Sequence, residues 1–400
     1  MVSFASMIRR LDKWILLLFL IYFFLYFGMS CYSPYINLYY VSKGMSTGMV
    51  GILSTIIPFV ALVFPNIWAH FADKSGNSKL FAIILVAGAG GSALLYLIGK
   101  SFFGFVAITI LYAIFACCVG GMVDVIAIII CQRLQYKFSL IRISSTLGYA
   151  IGCIVLSKPV STNLHMSFIF MGIFYGIALF LLFRLPNIAP NIPPDSAEET
   201  GKLSLFKDRS VYVALLLLMT VYMAASFFNS FLGILLQDKN MAPTFLGFCM
   251  FLSALGEAPV LFLAPKLVER FGEIKLMVFS SLVMTFRMLL VTTGSIPVII
   301  FLQCIQGWSY MLNFYCGAMY IDRIVHPRLK TKGQTVINTV QVGVGSVLGN
   351  IIGGALSESI GLSSTYRILA VLSLGITIIT MVAFFFYLKK KAKNKNLQGV

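Results

Sequence analysis

The sequence predicts an all-α integral membrane protein: twelve transmembrane helices in two pseudo-symmetric six-helix halves. Three observations carry that prediction. Of 400 residues, 59% are hydrophobic and only 11% charged, against about 25% charged in soluble globular domains. Twelve apolar runs are long enough to cross a hydrocarbon core about 30 Å thick. A charged turn that follows the second run recurs after the eighth, half a chain later.

The runs cover residues 14–40, 48–70, 79–99, 103–131, 139–158, 164–185, 210–237, 244–266, 275–293, 297–321, 333–358 and 366–388. The first follows the basic IRRLDKW, as a secretory signal would, but it is too long for one and lacks a small-residue cleavage site, so it is the first span. Pro34, Pro58, Pro65, Pro259 and Pro265 fall in spans one, two and eight, where they kink or end helices. Every connection is short except 186–209, PNIAPNIPPDSAEETGKLSLFKDR, which is Pro-rich and polar as a linker between halves should be. The expected domains are an N-terminal six-helix half, 1–185, the linker 186–209, and a C-terminal half, 210–400, with a basic tail.

A net charge of +17 invites a nucleic-acid reading, but the placement of the charges opposes it. With the spans above, 23 of the 30 Lys and Arg fall in alternate connections on one side, five on the other, and two, Arg142 and Arg287, inside spans. That asymmetry assigns both termini to the cytoplasm. The tail residues Lys389, Lys390, Lys391, Lys393 and Lys395 then face anionic lipid, and a multi-pass protein of the cytoplasmic membrane is expected. All eight Cys lie in apolar runs with no CxxC, so neither a disulfide framework nor a zinc site is suggested. His70, His165 and His326 lie near span ends or in a loop, without the spacing of metal ligands or a catalytic relay. No nucleophile and base constellation occurs; no cofactor, no metal and no enzymatic activity are expected.

Within GGMVDVIAIIICQRLQYKFSLIRISSTLGYAIG, residues 120–152, Asp124 precedes a polar turn and Arg142 follows it. Each is nine residues from Arg133, so in a helical hairpin each lies about 13 Å from the turn and the two can face each other. A charge inside a span costs about 2.5 to 3.5 kcal/mol on insertion scales and commonly faces a partner or a watery path. A ligand-gripping pair and a structural pin between two helices both remain open. Thr146 and Tyr149 lie nearby, and Gly148 and Gly152 permit close approach of another backbone. In the other half, Glu257 and Arg287 are mid-span in helices eight and nine. A carboxyl group in apolar surroundings can hold its proton and a neighbouring guanidinium favours its release, which suits a proton carrier; a fixed ion pair is the alternative.

The repeated turn reads Asp73, Lys74, Ser75, Gly76, Asn77, Ser78, Lys79 and then Glu269, Arg270, Phe271, Gly272, Glu273, Ile274, Lys275, offset by 196 residues. Gly allows the tight reversal, and Asp73 or Glu269 is expected near the start of the next helix, where its dipole favours an anion. Parallel duplication of this kind is expected of transporters that rock about a central site.

DKSGNSK, with WAHFA before it, resembles the loop signature of the major facilitator superfamily. IYFFLYFGMSCYSPYINLYYVSKGMS, LGEAPVLFLAPKLVERFG, TFRMLL and KTKGQTVINTVQVGVGSVLGNIIGGALSESIG resemble the branch containing lactose permease and phenylpropionate permease, over essentially the whole chain. The resemblance implies that Asp124 and Arg142 match the sugar-binding acid and Arg of that branch, with Tyr149 where a Trp stacks on the sugar. Arg287 is similar to an Arg that assists proton release, and Glu257 to a Glu of helix eight. Helix ten of those relatives carries a His, and in lactose permease a Glu one turn later; LQCIQGWSYMLNFYCG has Gln306 and Ser309 instead, and neither titrates.

Gln303, Gln306, Trp308, Asn313 and Tyr315 crowd helix ten, and amides with aromatics suit a polar, hydroxyl-rich or aromatic solute. Gly345, Gly349 and Gly353 form a small-xxx-small face for helix packing, and Glu358 at an outer helix end needs no role. The expected function is secondary transport of a small organic solute by alternating access: sugars and other hydroxyl-rich solutes first, then nucleosides, then aromatic acids. Substrate contacts are expected from Asp124, Arg142, Thr146, Tyr149, Gln303, Gln306 and Asn313, and coupling of H+ from Glu257 and Arg287, with Na+ as the rival ion. Membrane lipid is the other partner, nucleic acid is not one, and a monomer is expected. A non-transporting solute receptor with this fold and an efflux pump are the alternatives.

Overall fold

The computed structural model describes residues 13–187, 209–324 and 330–398, and among these the regular structure is entirely helical. Most of the expected linker and His326 lie outside the described residues. Span one is α1 (Lys13–Tyr32) and α2 (Ile36–Ser42); span two is α3 (Thr47–Val60) and α4 (Phe64–Ser75). Span three is α5 (Ser78–Leu95) with a short turn, Tyr96–Ile98, and span four is α6 (Phe102–Arg133). Span five is α7 (Phe138–Val155) and α8 (Ser157–Thr162), span six α9 (Met166–Arg184), span seven α10 (Arg209–Asp238), span eight α11 (Pro243–Phe271) and span nine α12 (Glu273–Val291). Span ten is α13 (Ile296–Cys304), α14 (Gln306–Ser309) and α15 (Met311–Ile324). Span eleven is α16 (Lys330–Asn338), a π-helical stretch Thr339–Gly345, and α17 (Ser346–Ile360); span twelve is α18 (Leu362–Gln398).

Eleven of these runs are long and apolar enough to cross a bilayer; span ten, divided at Ile305 and Tyr310 and carrying Gln303, Gln306 and Asn313, is not among them. The chain is thus a multi-pass, all-helical membrane protein with twelve spans in two six-helix halves. The prolines act in two ways. Pro34 sits in the break between α1 and α2, where its missing N–H ends a ladder, and Pro65 opens α4, where that N–H is not needed. Pro58, Pro259 and Pro265 remain inside α3 and α11. The helix of span twelve runs on past its expected end at 388, through the basic tail, to Gln398.

Contacts divide the described residues into two compact units. One takes in 13–45, 59–187 and 241–254; the other takes in 46–58, 209–240, 255–324 and 330–398. In the first, α1 packs on α7 and α9, and α5 on α6 and α9. A buried hydroxyl cluster closes one end: Tyr40 to Thr109 at 2.9 Å, Tyr96 to Thr109 at 2.9 Å and Tyr32 to Tyr96 at 3.2 Å. The stretch 241–254 joins this unit because Gly247 lies on the Cys153 carbonyl and Ser157, where no Cβ would fit.

The second unit is built around α10, most of whose residues from Val211 to Leu236 are buried, packed by α12, α17 and α18. Gly345, Gly349 and Gly353 turn toward α10: a Cβ on Gly349 would strike the Met223 backbone, and one on Gly353 the Phe227 ring. That face is therefore used for packing inside the unit. The stretch 46–58 joins it through Gly51, whose Cβ would lie 2.5 Å from the Asn350 carbonyl oxygen; the Asn350 amide donates to the Ser54 carbonyl at 3.2 Å.

Candidate functional site

The first cluster is in the first unit. A turn with Gln135 in the left-handed region (φ 51°) reverses the chain between α6 and α7 and brings Asp124 opposite Arg142. Arg142 Nη1 donates to Asp124 Oδ1 at 2.6 Å, and the Tyr22 hydroxyl of α1 donates to the same oxygen. The guanidinium also lies over two rings of α1, 5.7 Å from Tyr22 and 5.6 Å from Tyr26, at cation–π distance. Gly148 and Gly152 make this possible. A Cβ on Gly148 would come within 3.0 Å of the Phe23 Cα, and one on Gly152 within 3.1 Å of the Phe27 carbonyl, so α7 lies directly on α1. Gly148→Leu is expected to lift α7 off α1, at a cost of about 1 to 3 kcal/mol for overpacking. A drop in Tm together with lost solute binding would register it.

The pair is not sealed. The Arg142 and Asp124 side chains keep 41% and 29% of their surface accessible, so both have polar surface to offer a ligand. Thr146 is exposed one turn beyond Arg142. Tyr149 is half-buried and in hydrogen-bond contact with the Cys153 thiol.

The second cluster is in the second unit. Arg287 of α12 is only 1% exposed, and neutral groups take up its N–H groups. Nε donates to the Leu302 carbonyl at 2.9 Å, Nη1 to Ser309 Oγ at 2.9 Å and Met284 Sδ at 3.9 Å, and Nη2 to Gln306 Oε1 at 2.6 Å and Gln303 Oε1 at 3.4 Å. The Phe228 ring lies 4.5 Å from its carbon centre. The break in span ten serves this packing, because it turns the Leu302 carbonyl, two amides and a hydroxyl toward one guanidinium.

Glu257 of α11, part-exposed, reaches Arg287 only through Gln306, whose Nε2 donates to Glu257 Oε1 at 3.4 Å. Glu257 and Arg287 are bridged by that amide, unlike Arg142–Asp124 and Arg323–Glu273, whose charged atoms meet directly. A glycine crossing sets the spacing: Gly256 lies against the Cys304 carbonyl and Gly307 against the Gly256 carbonyl, leaving no room for a Cβ on either.

Gln303 and Gln306 are thus brought together on Arg287, whereas Asn313 is not. It is fully buried, and neither amide atom has a hydrogen-bond partner among the described residues; the same holds for Gln341 in the π-helical stretch, which packs near Gly317. Each unsatisfied polar group costs about 1 to 3 kcal/mol. Asn313→Leu and Gln341→Met are therefore expected to raise Tm, and a fall in Tm would reveal a lost partner.

The repeated turns differ from expectation in one respect. Asp73 is in the last turn of α4 and Glu269 in the last turn of α11, not at the start of the following helices. The residues at those starts are Asn77, whose side chain accepts from the Leu80 N–H, and Glu273, which is buried and paired with Arg323 at 3.1 Å. Lys74 and Arg270 sit at helix C-termini, where the dipole favours a cation. Gly76 (φ 64°) and Gly272 (φ 79°) have the left-handed backbone the reversal needs. Lys79 donates to the carbonyls of Leu185 at 2.6 Å and Phe183 at 3.1 Å, tying the start of α5 to the end of α9. The Lys79 and Glu273 contacts join elements distant in sequence, and no local pattern announces them.

Residues 15–368 match the MFS_1 like family. A maltose permease of Geobacillus stearothermophilus is 23% identical over 378 residues, 91% of this chain and 93% of that protein. An uncharacterized transporter of Bacillus subtilis, YwbF, is 21% identical over 379 residues, 94% of this chain and 93% of that one. Among solved structures, the nucleoside transporter NupG superposes with a TM-score of 0.84 at 17% identity, over 93% of this chain and 99% of that one. A transporter of the POT family in complex with 5-aminolevulinic acid gives 0.72 at 12% identity, over 95% and 97%.

Proposed function

From the fact that the chain belongs to the MFS_1 like family of membrane transporters, we propose that it is a secondary transporter of a small hydroxyl-rich solute, with sugars ranked first and nucleosides second. The carrying observation is the accessible Asp124–Arg142 pair beside the Tyr22 and Tyr26 rings. Carboxylate oxygens accept from hydroxyls, the guanidinium donates to them, and aromatic faces cover the apolar face of a sugar or a base. A charged ligand is not required, because the two charges already answer each other. The similarity to a maltose permease and the fold shared with a nucleoside transporter support the same solute class.

In this reading solute moves by alternating access in the cytoplasmic membrane, both termini are cytoplasmic, and Glu257 with Arg287 couples transport to protons. Thr146 and Tyr149 complete the solute contacts on α7. Gln303 and Gln306, bound to Arg287, belong to the coupling cluster. Counterflow of labelled maltose and labelled uridine into proteoliposomes, followed by a wider panel of polyols, tests the proposal. Saturable uptake of a hydroxyl-rich solute is expected. Saturable binding with no flux would make the protein a receptor, and flux confined to hydrophobic cations would make it an efflux pump.

A further inference from the structure

Arg287 and Glu257 communicate through one side chain. Gln306 Oε1 accepts from Arg287 Nη2 at 2.6 Å while its Nε2 donates to Glu257 Oε1 at 3.4 Å. The orientation of that amide follows from chemistry, since a guanidinium has only donors and can be answered only by the amide oxygen. Turning the amide over would set its NH2 against Arg287 and its oxygen against the carboxylate. The other guanidinium contacts, to Leu302, Ser309 and Gln303, hold Arg287 in place, and the Gly256–Gly307 crossing holds the two backbones at the required distance.

We propose that Gln306 is the positioning residue of proton coupling: an amide locked by Arg287 that keeps a donor on Glu257 and holds the two charges apart. The inference rests on the reading of Glu257 as the proton carrier. A direct Arg–Glu contact would fix the carboxylate in its ionised form. With an amide between them, Glu257 can take a proton on Oε2 and give it back, while Oε1 accepts from Gln306 in both states. No bond within Gln306 is made or broken, and the proton is exchanged with water. Besides Arg287, the titratable groups near Glu257 among the described residues are Tyr222 and Tyr310, whose rings stand 5.1 Å apart.

Infrared difference spectra of the full chain in lipid, recorded between acidic and alkaline buffer, test this without any solute. The carboxylic C=O band of protonated Glu257 is identified by its absence in Glu257→Gln. In Gln306→Met, which has similar length but no donor, that band is expected at higher wavenumber, because a carbonyl that accepts no hydrogen bond is stiffer, or is expected to be lost where Arg287 closes on the carboxylate and holds it ionised; either change supports the role. Gln306→Asn, too short to reach both partners, is expected to give the same displacement and serves if the Met variant does not fold. A band at the wild-type position in a folded variant overturns the role of Gln306. If wild type shows no band that Glu257→Gln removes, the proton-carrier reading itself fails, and the inference falls with it.

Discussion

Asp124→Asn and Arg142→Gln are each expected to abolish solute binding and leave a folded protein. The pair is part-exposed, so removing one charge does not strand the other in a sealed interior, where the loss would be about 3 to 5 kcal/mol. In the Arg142 variant, Asp124 keeps the Tyr22 hydroxyl, and in the Asp124 variant Arg142 keeps the Tyr22 and Tyr26 rings. Stability should therefore fall only modestly. The ligand loses more. Each charge-assisted hydrogen bond contributes about 1.5 to 3 kcal/mol, and a residue making two of them would weaken affinity by about a hundredfold or more. Equilibrium binding of the solute found by counterflow, with Tm measured alongside, gives both numbers. The exchange of Asp124 to Arg together with Arg142 to Asp separates the alternatives: a purely structural pair tolerates reversal, and a ligand site does not. Normal binding in both single variants would make the pair a pin between α6 and α7.

Glu257→Gln is expected to retain counterflow exchange and lose accumulation. Exchange returns the carrier with solute on both half-cycles and needs no net proton movement, so an uncharged side chain at 257 suffices. Accumulation against a gradient requires that the coupling site change its proton occupancy once per cycle, and Gln cannot. Uptake into proteoliposomes under an imposed pH gradient should fall to equilibrium in the variant and exceed it in wild type. Accumulation driven by pH and unaltered in Glu257→Gln would remove Glu257 from the mechanism. Accumulation driven only by an imposed sodium gradient would replace the proton, since a carboxylate beside the Gln303 and Gln306 amides can also coordinate that ion.

The spans and the Asp124–Arg142 contact were legible because they depend on local quantities. Apolar length marks a span, and equal distance from one turn sets equal depth in a hairpin. Helix packing through Gly148 and Gly152 follows from their spacing in the same way. What was not legible depends on rotation and crossing of helices remote in sequence. Gln306 reads as one more amide on a crowded span; only the crossing at Gly256 and Gly307 and the breaks at Ile305 and Tyr310 aim it at Glu257 and Arg287. The break in span ten has no proline at its centre to announce it. The turn acids misled for a related reason: Asp73 and Glu269 match by offset, yet α4 and α11 run one turn further than the apolar pattern, so both acids fall before the reversal.

Arg287 has a consequence for how the chain is made. Of its hydrogen-bond partners among the described residues, only Met284 belongs to its own helix; the Leu302 carbonyl, Gln303, Gln306 and Ser309 all come from span ten. During synthesis span nine leaves the ribosome first, carrying a guanidinium whose insertion alone costs about 2.5 to 3.5 kcal/mol. Until span ten follows, nothing from that later span can answer it. Span nine is long and apolar enough to enter lipid by itself, so the guanidinium goes in with it and stays unanswered by span ten until the stretch from Ile296 to Ser309 has been made. A chain ending just after Val291 would carry the same apolar span with a buried guanidinium and none of the four groups that answer it from span ten.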